Sequence, residues 1–164
     1  MVAFSFAISG ATLVSQHLGA GDADAAYQAG WRSMRTAFYI MLIGAIIMRC
    51  SASPLARFMI IDPQVVYYVC QVIHILCLCM PLMAIEFNIA GALRDAGDTR
   101  YPMMVTLFNI GISRVIAPLI LLQMQLDFIW LFYTTLLDYL IKSSLIMARF
   151  RNKKWLAKAH KSRI

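Results

Sequence analysis

Two long apolar runs, at residues 64–90 and 102–124, are separated only by a short polar segment. A helix needs about 20 apolar residues to cross the hydrocarbon core of a bilayer, and each run reaches that length. Because lipid offers no partner to backbone polar groups, each run must satisfy its own, which favours an α-helix. The pattern therefore predicts two neighbouring membrane helices joined by a tight turn.

The segment between these runs carries the residue types that end one helix and begin the next. Gly97 suits the left-handed position that follows a helix C-terminus. Asp98 and Thr99 are predicted to cap the following helix, and Pro102 fits its first turn.

Three further apolar runs complete the predicted fold. Residues 33–52 and 128–148 are long enough to span a bilayer, whereas residues 2–15 reach only about 21 Å. Helix breaks are predicted at residues 19–21 and 60–63, and residues 51–54 are expected to end or kink a helix. We expect an all-α membrane protein, a polytopic helix bundle with four full transmembrane helices plus one partial N-terminal helix.

Composition supports this class and argues against others. The chain is 61% hydrophobic and only 14% charged, whereas soluble domains carry roughly 25% charged residues. Its four cysteines have no zinc-ligand spacing and are expected to be small core residues. The sequence shows no nucleophile–base pair, phosphate loop or metal cluster, so we expect neither an enzyme nor a cofactor.

Basic residues are concentrated on one side of the predicted membrane. Three segments on that side hold eleven Lys and Arg, seven of them after residue 148, whereas the other side holds only Arg49 and Arg57. This asymmetry predicts a cytoplasmic C-terminus. We divide the chain into a transmembrane bundle at 1–148 and a basic cytoplasmic tail at 149–164 that faces lipid headgroups. We expect no nucleic-acid partner, because no folded basic domain accompanies the tail.

Three ionisable side chains are predicted to form one buried charge cluster within the spans, where charge is costly. Asp138 and Lys142 lie one turn apart on one helix, and Arg114 is expected at similar depth on the preceding helix. Two roles are compatible with such a cluster: a structural ion pair, or part of a proton or sodium relay.

Glu86 has no charged residue one turn away on its own helix. An isolated intramembrane carboxylate can hold a proton or bind a cation. Alternatively, its proximity to Gly91 allows its carboxylate to reach the inner interface. Glu86 and Asp138 are the candidates for cation coupling, whereas His74 is expected to be a core residue.

Three stretches resemble motifs of the multidrug and toxic compound extrusion (MATE) transporters. Residues 91–102 resemble the family's G-x-L-R-G-x-G-D-T-R-x-P loop, with Asp95 in place of the usual glycine, and residues 11–22 resemble its A-x-x-V-x-Q-x-x-G-A-G-D segment. The third stretch comprises Arg114, Trp130, Asp138 and residues 149–155. The matching loop residues are Gln16, Gly19, Gly21, Gly91, Arg94, Gly97, Asp98, Thr99 and Pro102.

The resemblance implies a fold of two six-helix lobes around a central cavity. This chain would match the last five helices of the C-terminal lobe, the first of them only partly. The implied partners are the missing N-lobe, the remaining C-lobe helices, membrane lipids and a small amphipathic or cationic substrate. In several subfamilies an acidic residue linked to cation coupling stands at the position of Met83 here, one turn from Glu86.

The implied activity is secondary antiport, in which organic cations or other amphipathic drugs leave the cell in exchange for H⁺ or Na⁺. The implied location is a bacterial plasma (inner) membrane. Two alternatives remain: a lipid-linked oligosaccharide flippase of the same superfamily, which would have a basic central cavity, and a small membrane scaffold that transports nothing.

Overall fold

The computed structural model describes residues 2–59, 61–123, 129–153 and 155–156, and within these ranges it is helical, with no strand. Its elements are α1 (Val2–Gly19), α2 (Ala23–Met59), α3 (Pro63–Asp95), α4 (Arg100–Gly111), a π-helical turn (Ile112–Ile116), α5 (Ala117–Gln123) and α6 (Ile129–Arg151). Helix α3 is the centre of the bundle, because it packs against α1, α2 and α6. The all-α prediction is confirmed. The connection between the apolar runs at 102–124 and 128–148 and most of the basic tail lie outside the described residues.

Two left-handed glycines form the turns that the sequence predicted. Gly21 has φ of 82° and follows the end of α1, and Asp22 Oδ1 accepts a hydrogen bond from the Ala25 N–H (2.8 Å) at the start of α2. Gly97 has φ of 88°. Around it, Asp98 N–H donates to the Leu93 carbonyl (2.9 Å) and Gly97 N–H to the Arg94 carbonyl (3.0 Å). This pair of bonds is the Schellman motif, which ends α3 with its carbonyls satisfied.

These two turns and the last turn of α6 lie at one end of the bundle, which we call the turn end. The opposite end, where α2 connects to α3, is the far end. There the Asp62 side chain caps α3 by accepting from the Gln64 N–H (2.9 Å), and Pro63 is the first residue of the helix. The predicted break at residues 60–63 is confirmed in the part that is described, residues 61–63.

The helix does not end at residues 51–54, because α2 continues through Pro54 to Met59. A proline removes one backbone hydrogen bond. Ala52 and Ala56, on either side of it, are buried, and this packing holds the helix together. Helix α2 also starts at Ala23 rather than near residue 33. Its 37 residues extend over about 55 Å, which exceeds the thickness of the hydrocarbon core.

Three described helical stretches are long and apolar enough to cross a membrane: Ala23–Phe58, Pro63–Asp95 and Arg100–Leu121. Helix α6 has 23 residues, enough for a span, but Asp138 and Lys142 in its middle reduce its apolar character. By length and composition the described chain therefore has three full spans where the sequence predicted four. Helix α1 is the short N-terminal helix, with 18 residues.

Glycines permit close contact between helices at Gly10, Gly30 and Gly91. A Cβ on Gly91 would lie 3.1 Å from the backbone oxygen of Ala7, so α1 approaches α3 directly there. A Cβ on Gly30 would lie 2.6 Å from Cζ of Phe150, where α2 meets the end of α6. Small residues at such crossings let helix backbones approach within membranes.

Replacing Gly30 with alanine is expected to lower the free energy of unfolding by about 1–3 kcal/mol, the usual cost of overpacking. Phe150 cannot move aside, because its ring stacks between Tyr27 (5.3 Å) and Trp155 (5.1 Å). Gly44→Ala in the same helix is the matched control, since no atom lies within 4 Å of the added methyl group. Chemical unfolding in detergent micelles measures both variants. Equal stability of the two would contradict the close packing at Gly30.

The core lies at the turn end and includes the first described residues of the predicted tail. Phe150 and Trp155 are fully buried, and Trp155 Nε1 donates to the Phe150 carbonyl (3.1 Å). Helix α6 ends at Arg151, three residues past the predicted boundary at residue 148. By contrast, only 6% of the apolar window within Arg100–Leu121 is buried. Its apolar side chains face outward, as expected of a helix in contact with lipid or further helices.

Candidate functional site

An ion pair lies in the middle of α6. Lys142 Nζ donates to Asp138 Oδ2 at 2.9 Å, and the two residues are only 6% and 4% exposed. Their spacing of four residues places both side chains on one helix face, as predicted. Lys142 Nζ also lies 5.8 Å from the centre of the Tyr139 ring. The other carboxylate oxygen of Asp138, Oδ1, is buried without a hydrogen-bond partner.

Asn109 connects this ion pair to the neighbouring helix. It is the last buried residue of α4, and its Nδ2 donates to the Asp138 backbone carbonyl at 3.1 Å. The sequence analysis missed this residue. The available signal was a polar amide in an apolar run, because such a group seeks a partner on a neighbouring membrane helix.

Glu86 lies in α3 and faces the same cluster. It is 7% exposed, which excludes the alternative that its carboxylate reaches an interface in this structure. Nine residues separate Glu86 from the end of α3, and nine separate Lys142 from the end of α6. Both are therefore about 14 Å from the turn end. The charges of Lys142 and Asp138 act on the Glu86 carboxylate, and its Oε2 is buried without a hydrogen-bond partner.

The cluster of Glu86, Asp138 and Lys142, which we call the acidic cluster, thus holds two carboxylates and one ammonium group. When all three are charged, the cluster carries one net negative charge. Each carboxylate presents one buried oxygen without a partner. Such oxygens can accept a proton or coordinate a cation. Among the described residues no group of three His, Cys, Asp or Glu side chains is placed to hold a metal ion.

The prediction that Arg114 joins this cluster is wrong. Arg114 lies in the π-helical turn, is exposed, and forms no ion pair with the described residues. The side chain that reaches Asp138 from this part of the chain is that of Asn109 in α4, which donates to the Asp138 backbone carbonyl. Similar depth on a neighbouring helix does not decide which way a side chain faces, and a π-helical turn changes the rotation of the residues around it. His74 is half-buried at the far end of the bundle, near Arg49.

A second ion pair joins the α3–α4 turn to α6. Arg149 donates through Nε (2.9 Å) and Nη2 (2.8 Å) to Asp98 Oδ2, and the Asp98 side chain is fully buried. The guanidinium carbon of Arg149 also lies 5.0 Å from the centre of the Tyr101 ring. Thr99 occupies the N-cap position of α4 without a side-chain capping bond. The Asp98 carboxylate, which was predicted to cap α4, therefore binds Arg149, a residue 51 positions further along the chain.

The remaining motif residues lie along the two turns. Gly19 ends α1, and the Gln16 carbonyl accepts from the Ala20 N–H (3.0 Å). Arg94 is exposed in the last turn of α3 and donates through Nε to the Ala90 carbonyl (3.2 Å). Pro102 is buried in the first turn of α4. These loop residues thus shape the turn end, whereas Asp138, from the third motif stretch, belongs to the acidic cluster.

Comparison with known proteins agrees with the resemblance of the motifs. The family model MatE matches residues 1–119. The chain is 26% identical over 163 residues to a protein of Thermotoga maritima that is described as "Probable multidrug resistance protein NorM". This similarity covers 97% of the chain but only 34% of the relative, so the chain spans about a third of that protein's length. No solved structure matches the chain.

The family match extends over α1, α2, α3 and α4, including both turns and Glu86. Three of the described helical stretches have the length and composition of membrane spans. The chain is therefore an integral membrane protein that belongs to the MatE family.

Proposed function

We propose that the chain is the C-terminal part of the C-lobe of a secondary antiporter. The complete transporter would export organic cations or other amphipathic drugs in exchange for H⁺ or Na⁺. Membership of the MatE family and the description of the Thermotoga maritima relative as "Probable multidrug resistance protein NorM" support this proposal. On this view the protein moves solutes and catalyses no chemical conversion.

The acidic cluster is the observation that supports a role in coupling drug export to the entry of a cation. Glu86 Oε2 and Asp138 Oδ1 are buried and lack hydrogen-bond partners, and Lys142 balances only one of the two carboxylates. Uncompensated charge in a low-dielectric interior is unfavourable. One bound proton or one Na⁺ would neutralise the cluster, so we propose that it exchanges a single positive charge. Alternating access would then expose this charge to one side of the membrane at a time.

The charge of the cluster favours cation coupling over the flippase alternative. A flippase for lipid-linked oligosaccharides would need basic residues to bind its pyrophosphate, and a basic central cavity is what that alternative predicts. The described buried charges of the α3–α6 interface instead sum to one negative charge. The net negative charge of the cluster also argues against a membrane scaffold that transports nothing. A charged group within a membrane is costly unless it has a function or a full set of partners.

We further propose that the turn end faces the cytoplasm of a bacterium. Arg32, Arg35 and Arg149 lie at this end, whereas Arg49 and Arg57 lie towards the far end. Basic residues are retained on the inner side of bacterial membranes. The outward-facing apolar surface of α4 and α5 would contact lipid, the N-lobe or the remaining helices of the C-lobe.

Efflux of ethidium from cells tests the antiporter proposal. The complete open reading frame that encodes this chain is expressed in a host that lacks its own drug exporters. We expect ethidium efflux driven by a proton or sodium gradient, and a loss of at least about tenfold in Glu86→Gln, because the variant cannot exchange a charge. Asp95→Asn, an exposed carboxylate at the end of the same helix, is the matched control and should retain efflux.

Two results would contradict this proposal. Efflux that is equal in Glu86→Gln and Asp95→Asn would remove Glu86 from the coupling site. Absence of any gradient-driven efflux from the complete, membrane-inserted protein would favour the scaffold.

A further inference from the structure

A groove near the far end of the bundle is separate from the acidic cluster. It has a volume of about 420 Å³ and lies between α2, α3 and α6. Its polar lining residues are Arg49, Gln71, His74 and Tyr133, and the Trp130 ring lies beside Tyr133 with their centres 5.8 Å apart. Among the described residues that line it, none is Asp or Glu.

Arg49 is an arginine at membrane depth with no ion pair to any residue in the described part of the chain. It lies fourteen residues beyond Arg35 in one continuous helix, which places it about 21 Å from that turn-end arginine. In a hydrocarbon core of ~30 Å, this depth is close to the opposite headgroup layer. Arg49 is exposed at this level, and its guanidinium has the donor geometry that binds phosphate, the anion of lipid headgroups.

Gln71 provides the second, independent observation. Its Oε1 is buried without a hydrogen-bond partner, and the residue lines the same groove as Arg49. A buried amide oxygen without a donor is unfavourable. A ligand in this groove should therefore carry both an anionic group for Arg49 and a hydroxyl donor for Gln71.

Trp130 and Tyr133 indicate where the ligand meets the membrane surface. Both lie in the first turns of α6 and are about half exposed. Tryptophan and tyrosine favour the headgroup level, where their rings are apolar on one side and polar on the other. The groove thus opens at the level of lipid headgroups and continues along the apolar Ile75 and Leu78.

We propose that this groove binds one anionic phospholipid whose headgroup carries free hydroxyls, as in phosphatidylglycerol. Arg49 binds the phosphate, Gln71 Oε1 accepts from a headgroup hydroxyl, and the acyl chains run along Ile75 and Leu78. His74 adds a further donor at the same site. This inference does not depend on the antiporter proposal, since it concerns a different set of residues at the other end of the bundle.

Retention of lipid by the purified chain tests the site. The full chain is extracted in detergent, exposed to equal amounts of phosphatidylglycerol and phosphatidylcholine, and examined by native mass spectrometry. We expect one phosphatidylglycerol bound in preference to phosphatidylcholine. Arg49→Gln should reduce that binding about tenfold, which corresponds to the loss of one charge-assisted hydrogen bond. Arg57→Gln, two turns further along the same helix and outside the groove, is the control and should bind as the unmodified chain does.

A second variant tests the headgroup contact and guards against a folding defect. Gln71→Leu removes the oxygen that accepts from the headgroup hydroxyl but keeps Arg49. The unmodified chain should bind phosphatidylglycerol in preference to phosphatidic acid, which has no headgroup hydroxyl. In Gln71→Leu this preference should decrease, whereas binding of both lipids through their phosphate should persist. Circular dichroism must show equal helix content in all variants. Equal retention of phosphatidylglycerol by Arg49→Gln and Arg57→Gln would overturn the proposal. So would equal retention of phosphatidylcholine and phosphatidylglycerol by the unmodified chain.

Discussion

Replacing Asp138 with lysine is expected to lower the free energy of unfolding by about 3–5 kcal/mol. The substitution places two ammonium groups one turn apart on α6, where Asp138 and Lys142 are now almost completely buried. It also leaves Lys142 without the carboxylate oxygen that accepts its hydrogen bond at 2.9 Å. Unfolding by denaturant in detergent micelles, followed by circular dichroism, measures the loss.

An exchange of the two charges separates pairing from simple burial. Lys142→Asp alone should be harmful for the same reason, whereas Asp138→Lys combined with Lys142→Asp restores an ion pair of reversed order. We expect the double variant to be at least about 1 kcal/mol more stable than either single variant, since residues in direct contact couple by such amounts. Asp95→Lys, at an exposed site on α3, controls for the added charge. A double variant no more stable than the single ones would show that the two side chains do not pair.

Removing Arg149 is expected to be more harmful than removing Asp98. Arg149→Met leaves the fully buried Asp98 carboxylate without its guanidinium partner and should cost about 3–5 kcal/mol. Asp98→Asn should cost clearly less, because the Arg149 side chain is 18% exposed and its charge can reach water or headgroups. The same unfolding measurement applies.

Arg151→Gln is the matched control for this prediction, since Arg151 is an exposed arginine at the end of the same helix. It should change the free energy of unfolding by less than about 0.5 kcal/mol. A larger loss of unfolding free energy in Asp98→Asn than in Arg149→Met would contradict this prediction. It would show that the buried Asp98 carboxylate is not the group that needs its ion-pair partner most.

Local signals in the sequence predicted the turns well. Gly97 adopts the predicted positive φ, and Gly21, which also has a positive φ, lies in the break predicted at residues 19–21. Helix α3 begins at Pro63, at the end of the break predicted at residues 60–63. Each of these features depends on a few neighbouring residues, so a short stretch of sequence contains the physical cause. The pairing of Asp138 with Lys142 was predictable for the same reason, since both lie on one helix face.

Contacts between distant residues were not predictable in the same way. Asp98 pairs with Arg149, and Asn109 with the backbone of Asp138, because the bundle brings α4 and α6 together. Helix α2 does not end at Pro54, where Ala52 and Ala56 on either side of the proline are buried. Arg114 was expected in the cluster from its depth alone, but it lies in a π-helical turn and is exposed.

The position of Glu86 shows how the two kinds of information combine. The sequence marked it as a carboxylate within a span, and the structure adds that α6 brings Lys142 and Asp138 near it. Its Oε2 and the Asp138 Oδ1 are the two buried carboxylate oxygens without partners in the described chain. A role in cation coupling needs both facts, since a carboxylate alone is equally compatible with a position at the interface.

Infrared difference spectroscopy of the purified chain tests the exchange of a cation at the acidic cluster most directly. A protonated carboxyl group has a C=O stretch separate from that of a carboxylate, so the gain or loss of one proton is visible. We predict a carboxylic-acid band that disappears when the pH is raised or when Na⁺, but not K⁺, is added at constant pH. The band should be absent from the Glu86→Gln, Asp138→Asn double variant. A band that responds to neither pH nor Na⁺, or that persists unchanged in the double variant, would contradict the account.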